Sequence, residues 1–519
     1  MVWRDVLRLI IVESMFESLS AAAAGTSGAG GVGAWARVEN AACARRLAAS
    51  ADALEARLSA HGSAERDQWC LDNWDAVAAE VAAAQNVSHG VASHQLLVAM
   101  ALRERLPRVA EVFATGAISY RLVSAIVSRT RLVRDLDART QLDAAIAAEV
   151  AGWGSLSVAK AEAEIDAWVD RVDPGALRRM ESSSRGRHLD IVPSDDGSGL
   201  DSIEGKLYGH HGAALKQRLL DMAGGVCEND PRTVDQLRSD ALGALGMGAD
   251  RLACECGDPA CSAAANAAPS APVVHVIAEE RSLTDDTPVQ LDGEAPPPFD
   301  PDKPLRDRTI AEVSAPDPQT GPAHTNPALV IGGGIMPAPL LAAKLAKTAT
   351  IRPLIHPGEA PPEPRYVPSR KLADFVRCRD LRCRFPGCDE PAYRCDLDHT
   401  IPYPVGPTCA SNLGCLCRKH HLLKTYWGWL ARQLPDGTFI WTAPSGQTYT
   451  TYPGSRLHFP TLCKPTAPVA ASVRVPRAAT GLMMPRRKRT REYNRQRSIE
   501  AERRLNDDRV LERNKPPPF

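Results

Sequence analysis

The chain has no run of about eighteen uncharged apolar residues, the length a helix needs to cross a bilayer, so no membrane span is expected. It also lacks net charge, since 62 Lys+Arg balance 62 Asp+Glu. The balance is not local. Residues 365–519 hold 28 Lys/Arg against 13 Asp/Glu, a net of +15, and residues 1–364 carry the compensating −15. A basic C-terminal part on an acidic N-terminal part points to a polyanionic partner, most often nucleic acid. Cysteine is missing from long Ala-rich segments although the chain has 14, and eight of these fall between Cys378 and Cys463. That clustering, partly in pairs at metal-ligand spacing, excludes a dispersed disulfide scaffold and fits a reducing, cytoplasmic compartment. The N-terminal MVWRDVLRLIIVESMFESLS interrupts its apolar run at Arg8 and Glu13, which argues against an export signal. At 519 residues the chain exceeds one core and should divide into several domains.

The pattern along the chain predicts an α+β multidomain protein. Residues 1–36, ending in AAAAGTSGAGGVGAW, read as a flexible N-terminus. Residues 37–250 read as a mostly α-helical domain, because segments such as RRLAASADALEARLSAHG and VASHQLLVAMALRERLPRVAEVFA repeat apolar residues at helical spacing. Within it, short alternating runs around DDGSG, residues 187–208, predict a β-hairpin. Residues 251–369 read as a strand (VVHVIAE), a Pro-rich linker and a helix. Residues 370–453 form a Cys/His-rich domain, and 454–519 a basic disordered tail containing PRRKR.

The richest chemistry lies in DLDHTIPYPVGPTCASNLGCLCRKHH, residues 396–421. Cys383-Arg-Phe-Pro-Gly-Cys388 is a C-x4-C knuckle, and Cys417-Arg-Lys-His420 is a C-x2-H pair. Two short-spaced pairs flanking a loop of about thirty residues is a structural zinc layout, with Cys383, Cys388, Cys417 and His420 as ligands. The alternative is a set of buried free thiols, and Cys395, Cys409 and Cys415 are read that way, as packing residues. A region this small has little core of its own, so the metal would supply much of its folding free energy. Asp398, His399, Asn412 and His421 remain inside or beside the clamped loop. A carboxylate and an imidazole suit a second, open divalent site, and a neighbouring histidine suits a general base. Together these are the parts needed to hydrolyse a phosphodiester.

The ordered set Cys383…Cys388, Asp398-His399, Asn412-Leu413, Leu416-Cys417-x-x-His420-His421 and Lys424-Thr425 resembles the HNH endonuclease motif. The resemblance implies a ββα-metal finger, with His399 as the general base and Asp398 and His421 holding a catalytic Mg²⁺ or Mn²⁺. It further implies that Asn412 braces the loop and that Cys383, Cys388, Cys417 and His420 bind structural Zn²⁺. The first pair is C-x4-C rather than the common C-x2-C, and the second ends in histidine. On a helix, the third and fourth positions after Cys417 both lie near it, so spacing leaves His420 and His421 open; His420 is chosen for zinc because it aligns with the usual fourth cysteine. The implied reaction is metal-dependent DNA hydrolysis, and no small-molecule cofactor is expected. The alternative is a zinc-containing DNA-binding module that does not cut.

Several basic residues fall around the finger. Arg377, Arg379, Arg382 and Arg384 lie at the first zinc corner, and Arg418, Lys419 and Lys424 lie on the expected helix. Beside a nuclease site they are expected to contact phosphates. YWGWLARQLPDGTFIWTAPSGQTYTTYP predicts a small β-meander whose Trp429, Phe439, Trp441 and Tyr449 form a packed face. Cys254, Cys256 and Cys261 could form another metal knuckle with His275, or remain unpaired thiols. The whole layout over residues 40–452 resembles the actinobacterial 13E12-repeat family, which joins a domain of unknown function to a C-terminal HNH domain. That resemblance implies carriage on a repeated, mobile element and assigns no role to the N-terminal half, where the sequence offers no catalytic constellation.

Overall fold

Side-chain caps set the helix boundaries in the N-terminal half of this computed structural model. The structure describes residues 16–177, 188–193, 200–207, 209–264, 275–285, 327–331, 334–346, 349–469 and 483–515. Asp72 and Asp75 form a capping box at the start of Asn73–Gln85, and Ser88, Ser119, Asp135 and Ser157 cap His89–Glu104, Tyr120–Arg129, Leu136–Glu149 and Val158–Val172. Pro107 opens Pro107–Ala114, and its neighbours Arg108 and Val109 donate their backbone N–H groups to buried Asp143 at 2.9 and 3.0 Å. These helices pack around Leu47, Val98, Phe113, Ile126, Leu142, Ile146 and Ile165. The expected hairpin is present, with His188–Pro193 antiparallel to Asp201–Lys206. Gly209–Ala223 and Val234–Gly246 follow it. The expected strand in VVHVIAE is short, Val276–Ile277, and pairs with Ala328–Val330; most of the Pro-rich linker lies outside the described residues.

The second large core belongs to the C-terminal part, but it is not closed there. It joins Phe375, Val376, Phe385, Leu413, Leu423, Trp429, Phe439 and Trp441 to Leu71, Ala76, Ala79 and Ala83 of the helical half. Trp69 meets Trp427 edge-on at 5.4 Å, and the Trp427 indole donates to the Leu71 carbonyl at 3.1 Å. The expectation of a finger with little core of its own is therefore corrected. Its packing is extensive because a helix some 300 residues upstream completes it.

The termini also differ from expectation. Residues 28–36 begin a long helix, Gly28–His61, because its later turns bury Val38, Ala41, Leu47 and Leu54 against neighbouring helices, which offsets the cost of the early glycines. The basic tail is not free over 483–515. It contains the helix Arg491–Arg513, held through buried Ile499 and through Asn506, which donates to the Gly175 and Leu177 carbonyls at 2.9 and 2.7 Å. Arg487 ahead of it and Arg491 at its start reach the Asp72–Asp75 cap. Polar pairing rather than an apolar stripe docks this helix, so periodicity alone does not reveal it.

Candidate functional site

The finger is assembled on Arg370–Asp380, a helix capped by Ser369 and buried through Leu372, Phe375 and Val376. Its last two residues form an internal clamp. Arg379 donates to the Ala410 and Leu413 carbonyls, both at 2.7 Å, and to Asp380 at 2.8 Å, while Asp380 accepts the Cys415 N–H at 2.9 Å. Arg384 donates to the Thr451 carbonyl at 2.8 Å and contacts the Tyr452 carbonyl, tying in the meander. Arg379 and Arg384 are only 1% and 3% exposed. The expectation that they contact phosphates is corrected: their guanidinium groups are consumed by main-chain carbonyls and a buried carboxylate. Arg382 and Arg418 are exposed and Arg377 half-buried, so these three remain open to an external anion. Lys419 instead points at His89, 3.4 Å away.

Two antiparallel strands carry the chemistry. Asp396–His399 pairs with Leu413–Leu416 in the register Asp398↔Gly414 and His399↔Leu413, and Arg418–Tyr426 follows as a helix. A Cβ at Gly414 would stand 2.4 Å from the Phe439 ring, so only glycine permits the meander to pack on this strand. The meander itself is Leu430–Gln433, Phe439–Thr442 and Thr448–Thr451, with Phe439 in its central strand. Trp429, Phe439 and Trp441 are buried and Tyr449 packs against them, as the sequence predicts for a packed face.

Asn412 ties the intervening loop to the strand. Its side-chain oxygen accepts the Ile401 N–H at 2.8 Å, and its amide donates to the Ile401 and Pro407 carbonyls at 3.0 and 2.8 Å. Gly406 completes this turn, since a Cβ there would lie 2.2 Å from the Ile401 carbonyl and 2.6 Å from the Asn412 amide.

The first cluster gathers Cys383, Cys388, Cys417 and His420, whose ligand atoms all lie within 4.8 Å of one another. A tetrahedral zinc with Zn–S bonds of about 2.3 Å separates its ligand atoms by about 3.7 Å, so the donor set fits. His420 Nδ1 lies 3.2 Å from Cys417 Sγ and 3.5 Å from Cys383 Sγ. Phe385 stacks on the His420 ring at 4.0 Å and holds its orientation, and the Cys417 N–H donates to Cys383 Sγ at 3.3 Å. Hydrogen bonds with Cys383 and Cys388 push the Cys417 thiol down, while burial pushes Cys383 up and hydrogen bonds with Cys383 and Cys417 push Cys388 up, so the three thiols titrate as one linked set. Cys395, Cys409 and Cys415 are buried outside the cluster.

The second constellation lies on the other face of the same helix. His421 Nδ1 faces Asp396 Oδ2 at 2.9 Å, and its Nε2 faces Asp398 Oδ1 at 3.3 Å. With Nδ1 engaged by Asp396, His421 Nε2 and Asp398 Oδ1 form a nitrogen–oxygen pair of the kind that suits a hard or borderline divalent ion. Lys424 contacts the other oxygen of Asp398 and donates to the His399 carbonyl at 2.7 Å. His399 is 5% exposed. Its Nε2 lies 2.9 Å from the Thr408 hydroxyl, which donates to the Tyr366 carbonyl at 3.4 Å. The Thr408 oxygen therefore accepts from His399 Nε2–H, leaving Nδ1 as the basic nitrogen. Tyr366 stacks on the ring at 5.1 Å, and Tyr403 lies at 5.9 Å. Burial, partly opposed by Asp398, holds His399 below the usual imidazole range, so it is neutral near pH 7.

Sequence reasoning missed Asp396, Thr408 and Tyr366. Asp396 was recoverable, because residues two apart on a strand share a face. Tyr366 sits in a Pro-rich connector with no pattern to flag it. The second cysteine group, left open between a knuckle with His275 and unpaired thiols, has a different neighbour. Cys254, Cys256 and Cys261 converge with Cys227, whereas His275 lies beside Tyr393, 6.4 Å away between ring centres.

A family model described as "Domain of unknown function (DUF222)" matches residues 34–298 and 302–380, ending three residues before Cys383. The chain is 52% identical over 493 residues to the uncharacterized protein Rv2100 of Mycobacterium tuberculosis (strain ATCC 25618 / H37Rv), covering 93% of this chain and 88% of that protein. It is 48% identical over 489 residues to the uncharacterized protein Rv3776 of the same strain, covering 93% and 90%. No solved structure matches it. Among the described residues, no helix is long and apolar enough to cross a membrane. With two thirds of its length matched by the model, and with relatives this similar over almost their whole length, the chain belongs to the DUF222 family.

Proposed function

We propose that the C-terminal finger is an HNH-type endonuclease module that hydrolyses DNA phosphodiester bonds. The observation that carries this reading is the division of labour on one short helix. His420 faces the cysteine cluster while His421 and Asp398 converge on a separate polar site beside His399. In this reading Asp398 and His421 hold a Mg²⁺ or Mn²⁺ ion, which when bound supplies charge stabilisation at the scissile phosphate. Asp396 orients His421 through Nδ1. His399 takes a proton from the attacking water at Nδ1, and Thr408 holds Nε2 so that the ring keeps its tautomer. Asn412 keeps the loop closed around this geometry. The accessible Arg377, Arg382 and Arg418 support a nucleic-acid partner. Carriage on a repeated, mobile element belongs to the same reading.

A second reading, a zinc-containing DNA-binding module that does not cut, is favoured by two contacts. Lys424 occupies one oxygen of Asp398, and Tyr366 covers the His399 ring. Plasmid nicking by the full chain with Mg²⁺ or Mn²⁺, beside His399→Ala at matched zinc content, separates the two. Cutting by the wild type alone supports the nuclease. Tight, salt-dependent DNA binding without cutting by either protein supports the binding module.

A further inference from the structure

A second group of metal-binding character lies outside the finger, in the part of the chain that matches the family model. We propose that Cys227, Cys254, Cys256 and Cys261 bind a structural zinc ion as an all-thiolate site. The four sulfur atoms all lie within 4.8 Å of one another, with Cys227 and Cys254 at 3.5 Å. That is the separation expected around a tetrahedral ion with Zn–S bonds of about 2.3 Å, and longer than the bond of about 2.0 Å a disulfide would make.

The surroundings are built to hold this convergence. Gly257, at φ +75°, turns the chain immediately after Cys256, and Cys261 returns through a bond from its N–H to the Asp258 carbonyl at 3.0 Å. The Cys254 N–H donates to the Ala263 carbonyl at 3.0 Å, so the knuckle closes on itself. Cys227 comes from the other side, in the connection between Gly209–Ala223 and Val234–Gly246. Arg232 locks the two sides together. Its side chain, 2% exposed, pairs with Asp230 at 2.8 Å and Asp240 at 2.9 Å and donates to the Ala253 carbonyl at 2.7 Å. Asp230 in turn accepts the Glu255 N–H at 2.9 Å. Thus the segments bearing Cys227 and Cys254 are registered by a buried ion pair immediately beside the sulfurs.

The need for a metal follows from the size of the local core. Among the described residues, this unit buries Met222, Ala223, Leu237, Ala241 and Leu252 as one small cluster. So small a core supplies little stability, and a four-thiolate zinc is a common substitute for missing apolar burial. The site would staple the two helices to the segment 250–264 that follows them.

Metal analysis of the full chain, purified under reducing conditions, tests the proposal. Cys227→Ser and Cys261→Ser should each hold about one zinc equivalent less than the wild type, as expected for loss of one structural site. His275→Ala should lose none. Cobalt exchange supplies a readout independent of folding in the serine variants. The wild type should show the charge-transfer and ligand-field bands of an all-sulfur tetrahedral site, and Cys261→His should retain the metal with those bands shifted. Because each variant is compared with the wild type, absence of zinc from the finger would not mimic failure here. Unchanged zinc content in Cys227→Ser and Cys261→Ser, or cobalt bands unaltered by Cys261→His, would overturn the assignment. So would a Cys227–Cys254 disulfide in the freshly purified protein.

Discussion

His420 and His421 are consecutive residues that serve different sites: His420 Nδ1 stands 3.2 Å from Cys417 Sγ, and His421 Nε2 stands 3.3 Å from Asp398 Oδ1. A rotation of about 100° per residue on the helix separates them. If the first cluster holds zinc, His420→Ala should lose that zinc and lower the unfolding temperature of the finger. His421→Ala should keep zinc and fold, and on the nuclease reading should cut at least about 100-fold more slowly. Loss of zinc from His421→Ala, with full zinc in His420→Ala, would reverse the assignment.

Asn412 makes three hydrogen bonds across its loop while 1% exposed. Asn412→Ala leaves the Ile401 N–H and the Pro407 carbonyl without a protein partner. A loss of about 1–3 kcal/mol is expected in urea unfolding, with an unchanged slope. A cost near zero would mean that the loop finds other partners.

The arginines around Cys383 and Cys388 should separate into two classes. Arg379→Leu strands the fully buried Asp380 carboxylate and should cost about 3–5 kcal/mol. Arg382 pairs with exposed Asp389, and Arg382→Ala should change stability by less than about 0.5 kcal/mol. On the DNA-binding reading, Arg382→Ala or Arg418→Ala should instead reduce the slope of log affinity against log salt by about one for each phosphate the side chain neutralises. An unaltered slope in both variants would remove these side chains from the interface.

His89 joins the helical half to the finger. Its Nε2 meets the Asp75 carbonyl at 3.2 Å and its Nδ1 meets Lys419 at 3.4 Å. Burial, with Lys419 adding to it, lowers its pKa from 6.5 to about 4. The folded state thus favours neutral His89. Its contribution is complete above the unfolded value near 6.5 and is lost as pH falls toward 4, at about 1 kcal/mol per pH unit at the steepest. The wild type should lose stability between pH 6.5 and 4.5 faster than His89→Gln. Parallel curves for the two proteins would remove His89 from the pH dependence.

The C-terminal helix should be protected from amide exchange by its docking. Asn506, 3% exposed, satisfies the Gly175 and Leu177 carbonyls. Asn506→Ala should weaken that docking by about 1–3 kcal/mol and raise exchange across Arg491–Arg513 selectively. Uniform exchange changes across the protein, or none, would show that other contacts hold the helix.

Local chemistry was legible wherever a short segment supplied its own partners. Spacing groups Cys383, Cys388 and Cys417 as they come together in space while leaving His420 and His421 open, and it places Asp398 beside His399 at a strand end. The hairpin at 188–206 and the meander of Phe439 and Trp441 were readable from alternation and turn residues. What the sequence by itself determined is therefore the set of caps, periods and ligand spacings, because each depends on residues a few positions apart. Only the tertiary structure decided that Arg379 and Arg384 turn inward, that Tyr366 covers His399, that Cys227 completes the second sulfur group, and that Arg491–Arg513 docks on the helical half. Each of those depends on groups brought together across long separations, by burial that no local window contains. A guanidinium, a thiol or a polar helix takes its role from the carbonyls, sulfurs and carboxylates that folding sets around it.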